Sequence, residues 1–519
     1  MNPIELKLFA SRVAAISDEM GLVLKRTAFS PNIKDRLDFS CALFGPDGEL
    51  FAQAAHIPVH LGSMAYAMTS LVRQQRWQRG DMLVVNDPYL GGTHLPDVTL
   101  IAPVFMEKEA TLLGFVANRA HHANIGCDTP GSMPVSRSLE EEGIIIPPTM
   151  LFRAGQLQEE CLQLLQLEKS DINKGELTGD FAAQAGANQL GVLRLQQLVT
   201  TLGQLQYERG MAELNDYADR ITESVLEKLE PGEYKFKDYL DDDGFGSESI
   251  PLVVSLRIES GSVLLDFAGS SAMVPGNLNC PESVVAAAAY YCFRCLMPDE
   301  APACEGLFRR IKLRTEEGSI VNARRPAAVA AGNVETSTRL VDLVFGALAQ
   351  ALPEQIPAAS QGTMNNIAMG RIDAESNSRW DYYETLAGGV GGGPNYAGLD
   401  CSHSHMTNTL NTPVESLEMH FPLRVRKYQI RKGSGGSGQQ PGGEGIVREY
   451  EFLEDAQLSL LTERRKHAPW GLHGGENGQS GANFLNAEAL PAKCSMAVEK
   501  GDRLLIETPG GGGWGKSGS

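Results

Sequence analysis

Glycine placement constrains this chain more than any other feature. Of 519 residues, 55 are glycine, and much of that glycine follows Gly388. With no Cβ, glycine permits tight turns and close backbone approaches that other residues resist. The C-terminal part is therefore expected to be rich in loops set between short strands. Two of its clusters imitate nucleotide loops. Gly510-Gly-Gly-Gly-Trp-Gly515-Lys516-Ser517 satisfies the P-loop pattern, but only two residues follow Ser517, too few for the helix whose N-terminal amides would hold phosphate. Gly433-Ser-Gly435-Gly-Ser-Gly438 matches a dinucleotide fingerprint, but Gln-Gln-Pro-Gly-Gly follows it instead of a helix-forming run. Both read as glycine-rich loops, so any ATP this protein uses is expected on another chain.

Elsewhere the hydrophobic spacing alternates between helix and strand. Asn2 and Pro3 form a helix start, and Leu6, Phe9, Val13, Ile16, Met20 and Val23 carry a helical period to about Thr27. Residues 41–44 and 50–53 flank the turn Gly45-Pro-Asp-Gly48 and read as a hairpin. Residues 82–85, 98–102 and 112–117 are apolar enough for buried strands. Residues 148–154 read as a loop. From Asp171 to Leu229 no proline occurs, and leucine spacing marks one helical zone ending at Pro231-Gly232. Residues 234–239, 250–259 and 263–267 suggest antiparallel strands. Asp241-Asp-Asp-Gly244 reads as the turn before them, because the other ligand positions of a calcium loop are missing. Helices are expected at 282–297 and 339–352, and strands at 423–430, 446–452 and 503–507. The fold class is α+β, with β-rich ends and a central helical segment, divisible into regions 1–165, 166–232, 233–385 and 386–519.

A net charge of −19 repels a phosphate backbone, so no nucleic-acid partner is expected. Nine scattered cysteines show no disulfide framework and suit a reducing, cytoplasmic setting. Cys292-x-x-Cys295 has no second pair or histidine to complete a zinc set. No signal peptide or membrane span is expected.

Five of the ten histidines, His56, His60, His94, His121 and His122, lie in the first quarter of the chain. His94-Leu-Pro-Asp97 sits in a loop between expected strands, and Asn118-Arg-Ala-His-His-Ala-Asn124 follows the end of another. Two imidazoles and one carboxylate at neighbouring strand ends suit zinc, manganese or iron and leave positions open for water or substrate. HxxD and HH are short patterns, so hydrogen-bonded core histidines remain the alternative. No HExxH, GxSxG or Cys–His nucleophile pattern is present.

These residues resemble the hydantoinase B/oxoprolinase family over nearly the whole chain. The matching stretches include Asp35-Arg-Leu-Asp-Phe-Ser40, His56-Ile-Pro-Val-His-Leu-Gly-Ser63, Asn86-Asp-Pro-Tyr with His94 and Asp97, and Arg119-Ala-His-His122. Further on come Gly332-Asn-Val-Glu-Thr-Ser337, Gly362-Thr-Met-Asn-Asn366, Asn408-Thr-Leu-Asn-Thr-Pro-Val-Glu415 and Thr508-Pro-Gly-Gly-Gly-Gly-Trp-Gly515. The resemblance implies a hydantoinase A-like partner ATPase that phosphorylates a substrate oxygen, in a hetero-oligomer where ATP is consumed by that partner. It implies metal ligands His94, Asp97 and His121. The implied activity is opening of a cyclic amide such as 5-oxoproline or an N-methylhydantoin. The corresponding subunit of a ketone carboxylase, or a non-catalytic scaffold for the ATPase, are the alternatives. His122 and His60 are expected to relay protons. Asp38 and Arg36 are expected to contact substrate or to form a buried ion pair. Asn86 and Asp87 are expected to orient the metal loop, with Asp87 a further candidate ligand. One departure stands out: the family commonly has Asp where this chain has Asn124, near the implied metal.

Overall fold

The computed structural model describes residues 1–54, 57–106, 111–167, 172–173, 176–373 and 378–517. His56 lies outside the described residues. The architecture is α+β, as the hydrophobic spacing implies. Helix α1, Pro3–Thr27, opens on a capping box. The Asn2 side chain accepts from the Glu5 amide, and the Glu5 carboxylate accepts from the Asn2 amide, both at 2.9 Å. Its inner face buries Phe9, Val13, Met20 and Leu24. The short helix α2, Pro31–Lys34, leads into the first sheet.

That sheet positions the site. Its strands are β1 (Phe39–Phe44), β2 (Leu50–Gln53), β3 (Met82–Val85), β4 (Asp97–Phe105), β5 (Leu112–His121), β6 (Thr149–Arg153) and β7 (Gln156–Leu157). They lie in the order β2-β1-β5-β4-β3-β6-β7. The β1–β2 hairpin forms as expected. Strands β4 and β5 run further than their apolar runs, so Asp97 and His121 are strand residues and not loop residues. Residues 148–154 were expected as a loop, and the structure corrects this. Thr149–Arg153 pairs with β3, with Leu151 buried at its centre, because β3 would otherwise present an open edge. Helix α3, Pro58–Arg73, covers residues with no clear period. It is buried on more than one side: a Cβ at Gly62 would come within 2.5 Å of Ala287 Cα.

The helical zone splits into Gly179–Leu202 and Gln204–Leu226 at Gly203, whose φ of +81° ends the first helix. The first of these packs across β4 and β5. A second sheet follows at Gly232–Asp242, Glu248–Glu259, Ser262–Asp266 and Ile311–Arg314. Asp243 makes the turn before its second strand by accepting from the Phe245 and Ser247 amides, both at 2.9 Å. Helices Glu282–Arg294 and Ser337–Ala351 pack together behind it. A third sheet joins Asn366–Asp373 and Ser378–Thr385 to Ala456–Leu461 and Lys493–Val498, none of which the hydrophobic spacing indicates. A fourth contains Leu423–Arg431, Gly445–Phe452 and Arg503–Glu507, near their expected bounds, with Ala482–Leu485 and Glu488–Leu490 beside them. No helix among the described residues is long and apolar enough to cross a membrane.

The glycine clusters are a packing device. The Gly511 amide donates to Gly443 O at 2.9 Å, the Gly443 amide to Val390 O at 2.8 Å, and the Gly436 amide to Gly511 O at 2.8 Å. A Cβ on Gly511 would lie 2.1 Å from Val390 O, so three backbone segments stack where only glycine fits. The space a P-loop would give to phosphate is filled by neighbouring backbone. Gly511→Ala is therefore expected to destabilise the fold by about 3 kcal/mol or more. Gly186→Ala, mid-helix with nothing within 4 Å of its Cβ, should stabilise it by about 0.5–1 kcal/mol. Chemical denaturation of both variants checks the pair.

Candidate metal centre

Three strands bring the chemistry together. Asp97 opens β4 and His121 closes β5, and the two are direct Cα partners across the antiparallel ladder. On the other side of β5 the His121 amide donates to Asp38 O at 3.0 Å, just before β1 begins. Asp38, His121 and Asp97 thus form a row across β1, β5 and β4. His94 joins from the loop before β4, where a tight turn lets the Asp97 amide reach His94 O at 3.1 Å. His60 arrives on the first turn of α3, its Nε2 3.3 Å from Asp97 Oδ2 and its Nδ1 3.2 Å from Ser40 Oγ.

His94, Asp97 and His121 each offer a ligand atom, and these atoms lie within 4.8 Å of one another. All three side chains are buried. Asp97 Oδ2 is well occupied. It accepts from Thr93 Oγ1 at 2.5 Å and Asn333 Nδ2 at 3.3 Å, and His94 Nε2 lies 3.3 Å away without hydrogen-bond geometry. Oδ1 has no partner among the described residues, nor do both His94 nitrogens and His121 Nε2. Buried polar atoms left this way cost about 1–3 kcal/mol each, so unpartnered atoms on three side chains that can each turn one ligand atom to within 4.8 Å of the others call for a ligand.

The His121 tautomer follows from its neighbours. Nδ1 lies 3.0 Å from the His122 carbonyl and 3.2 Å from Asn32 Nδ2. The carbonyl can only accept, so the shorter contact places the proton on Nδ1 and the lone pair on Nε2. Burial, reinforced by the charge of a protonated His94, holds this imidazole well below the usual histidine range. Burial pushes the Asp97 carboxyl up, but His94 and His60 outweigh it and hold the group well below the usual carboxylate range. Burial opposes a proton on His94, and Asp97 beside it prevails and raises its pKa. A neutral imidazole, a second imidazole able to exchange its proton, and an ionised carboxylate are a donor set that fits a divalent cation. His121 also stacks on Tyr383, ring centroids 4.9 Å apart.

These side chains line a cavity of about 20 Å³, room for a single water-sized group, together with Asp38, His60, Asn333 and Tyr383. A far larger cleft of about 910 Å³ opens beside α1. Its lining mixes apolar groups with charges of both signs, among them Lys7, Arg220, Glu213 and Asp299, and has no histidine, so the small polar cavity is the candidate site.

Several expected residues take other positions. His122 turns away from the cavity, because neighbouring residues at a strand end face opposite sides. It donates from Nε2 to Gln184 Oε1 at 2.9 Å and packs against Phe181, both on the helix Gly179–Leu202. Asp87 caps the turn at Pro88–Leu90 and pairs with Arg325, so it is not available as a ligand. Asn86 does orient the loop, donating to Leu95 O at 2.8 Å and Ile144 O at 2.9 Å. Arg36 and Asp38 form only a loose pair at 3.8 Å. Arg36 instead donates to Tyr383 O at 2.8 Å. Burial raises the Asp38 carboxyl against the pull of Arg36. Asn124 does not line the cavity. It accepts from the Gly126 amide at 2.6 Å and lies 3.5 Å from Asp381 Oδ1, where a carboxylate would face a like charge.

Other residues contribute that the sequence patterns did not single out. Arg119 is buried and bonds Thr99 Oγ1 at 2.8 Å, Ser63 Oγ at 2.7 Å and Gly91 O at 2.8 Å. It ties β4, α3 and the His94 loop together, and burial lowers its pKa only to about 10, so it stays charged. Asn333 sits on a π-helical turn, Gly332–Thr336, of a kind often found at functional sites. Glu142 anchors the backbone leading into that turn, accepting from the Val329 and Ala330 amides, both at 2.9 Å.

The sequence model of the hydantoinase B/oxoprolinase family matches residues 2–517. The chain belongs to this family. Among its relatives, 5-oxoprolinase 1 of Arabidopsis thaliana is 40% identical over 550 residues. That match covers 99% of this chain but 42% of the plant protein, so the chain spans less than half the length of that relative. Among solved structures, an ATP-dependent caprolactamase from Pseudomonas jessenii has a TM-score of 0.89 at 26% identity, covering 99% of this chain and 91% of that one. An acetone carboxylase has a TM-score of 0.85 at 18% identity over 99% of this chain and 76% of its own, a likeness of fold.

Two expectations follow from the geometry. His122→Ala should leave any co-purifying divalent cation in place and cost about 2 kcal/mol of stability, since Gln184 Oε1 loses its donor. Metal analysis and denaturation check it. Burial pushes the Glu142 carboxyl from 4.5 up to about 7, against the pull of its amide donors. The folded state then holds this proton more tightly than the unfolded state does. Its stabilising contribution is full below about 4.5 and is lost as pH rises through about 7. Glu142→Gln should flatten that part of the stability profile relative to the wild type.

Proposed function

We propose that this chain is the ring-opening subunit of an ATP-dependent cyclic amidase. Its substrate is of the 5-oxoproline or hydantoin type, activated by a partner ATPase subunit. The observation that carries this reading is the set of unpartnered donor atoms on His94, Asp97 and His121 in one buried cavity. Two further facts support it. The relatives named above include a 5-oxoprolinase and an ATP-dependent caprolactamase, both acting on cyclic amides by name. The 5-oxoprolinase is more than twice as long as the matched region, which leaves ample chain for ATP chemistry outside it.

His94, Asp97 and His121 would hold a zinc, manganese or iron ion through two imidazole nitrogens and a carboxylate oxygen. Such an ion, when bound, lowers the pKa of water and polarises a substrate oxygen. A lactam resists attack because amide resonance stabilises it, and phosphorylation of its oxygen by the partner removes that resistance. This chain then supplies orientation and proton transfer. Asp38 lines the cavity with a raised pKa, so it can take a proton from water and return one to the ring nitrogen. His60 steadies Asp97 from Nε2, which leaves its Nδ1 to accept from Ser40 Oγ. The His122 carbonyl, accepting from Nδ1–H, fixes the His121 ring. A five-membered ring exceeds about 20 Å³, so the lining must part to admit it.

The test is ATP-dependent ring opening by the chain co-purified with its ATPase subunit, assayed with 5-oxoproline, hydantoins and caprolactam. The wild type should carry near-stoichiometric zinc, manganese or iron. His94→Ala should lose the metal and at least about 100-fold in ring opening while staying folded. A metal-free wild type that opens the ring contradicts the reading. ATP turnover that requires bicarbonate and a ketone would assign the chain to carboxylation. No turnover and no metal would leave it a scaffold for the ATPase.

A further inference from the structure

Five unpartnered polar atoms belong to the side chains that line the histidine cavity, counted among the described residues. Four are the His94 nitrogens, Asp97 Oδ1 and His121 Nε2. The fifth is Oδ1 of Asn333. Its amide orientation is settled by chemistry. Nδ2 lies 3.3 Å from Asp97 Oδ2, and a carboxylate only accepts, so the NH2 group faces Asp97 and Oδ1 remains as a free acceptor. The residue is buried, and its backbone is held from several sides. Ser337 Oγ donates to Asn333 O, Thr336 Oγ1 donates to Leu278 O at 2.6 Å, and a Cβ on Gly332 would meet Asn279 O at 1.9 Å. An acceptor fixed this firmly on the cavity wall, buried and without a partner, calls for an O–H donor.

We propose that Asn333 positions the water that attacks the activated ring, by accepting one of its hydrogens at Oδ1. This rests on the hydrolytic reading above and deepens it. Water needs two or more polar partners to be held, and Asn333 supplies one that no candidate metal ligand duplicates. The water oxygen bonds to the ring carbon, and its other proton passes to Asp38. Asp38 gives that proton to the ring nitrogen, the C–N bond breaks, and the hydrogen held at Asn333 leaves the new hydroxyl for the vacated Asp38 carboxylate, which returns it to the amine as the carbonyl forms. The products are an amine and an acyl phosphate, which a second water hydrolyses to carboxylate and inorganic phosphate. Holding one hydrogen fixes where the oxygen lone pair points, which makes Asn333 a positioning residue.

The experiment uses the complex with its ATPase subunit, 5-oxoproline as substrate, and Asn333→Ala beside Asn333→Asp. Asn333→Ala should lower kcat for ring opening about 100-fold, with KM and metal content unchanged. Hydroxylamine, a small nucleophile that does not depend on this water, should restore opening of the activated ring. Asn333→Asp keeps an oxygen of the same reach, shares a proton with the facing Asp97 carboxylate in place of the amide hydrogen, and should retain more activity than Asn333→Ala. If Asn333→Ala does not fold, the Asn333→Asp variant and its hydroxylamine response decide alone. Loss of metal, a raised KM with unchanged kcat, equal loss in both variants without rescue, or no effect in either would overturn the proposal while the wild type stays active. A wild type that opens no cyclic amide overturns both readings.

Discussion

The site depends on one strand register. Asp97 faces His121 across β4 and β5, and Phe39 faces Ala120 across β1 and β5. A slip by one residue would send every side chain on β5 to the opposite face and exchange His121 for His122. The two histidines are adjacent in sequence and do different work because of this alternation. His121 serves the cavity, and His122 serves the interface with the helix Gly179–Leu202. Arg119, two residues earlier on the same face as His121, bonds three separate elements and so locks the register to α3 and the His94 loop.

The opposite face of the sheet carries a second polar system. Gln184 donates to Val98 O and Asn118 Oδ1, both at 2.9 Å, and Asn188 donates to Leu100 O at 3.0 Å. Asn118 returns bonds to Gln184 O and Asn188 Oδ1, both at 2.8 Å. Every donor there has a partner, so this network is structural by its own bookkeeping. The cavity face is the reverse case, with donors and acceptors left open and converging. That contrast between two polar clusters a strand apart separates a core network from a candidate catalytic site. The same logic explains Asn124, whose neighbour Asp381 makes an uncharged amide the better fit.

Where a single period or a fixed spacing dominated, the sequence was readable. The helix start at Asn2, the β1–β2 hairpin and the strand at 503–507 all follow from local patterns. The grouping of His94 with Asp97 and His121 came from the family resemblance, since HxxD and HH alone leave a hydrogen-bonded core as an equal alternative and do not choose between His121 and His122. Elements buried on several sides were missed. Helix α3 has no polar stripe, and Asn366–Asp373 buries Ile367 and Met369 toward one core and Ala368 toward another, so neither shows amphipathic contrast. In the sequence Asn333 stands out only as part of the stretch Gly332-Asn-Val-Glu-Thr-Ser337. Its meeting with Asp97, 236 positions away in sequence, exists only in three dimensions. His122 lies on the side of the sheet away from the cavity for a local reason: spacing says nothing about which side of a strand end a residue takes.

The central claim is that His94, Asp97 and His121 close around one divalent cation. Anomalous diffraction from crystals of the chain grown with manganese tests it most directly. A single strong peak among these three side chains, absent in His94→Ala crystals, is the predicted result. No anomalous density in the cavity, or a peak bound elsewhere that survives the substitution, would contradict it.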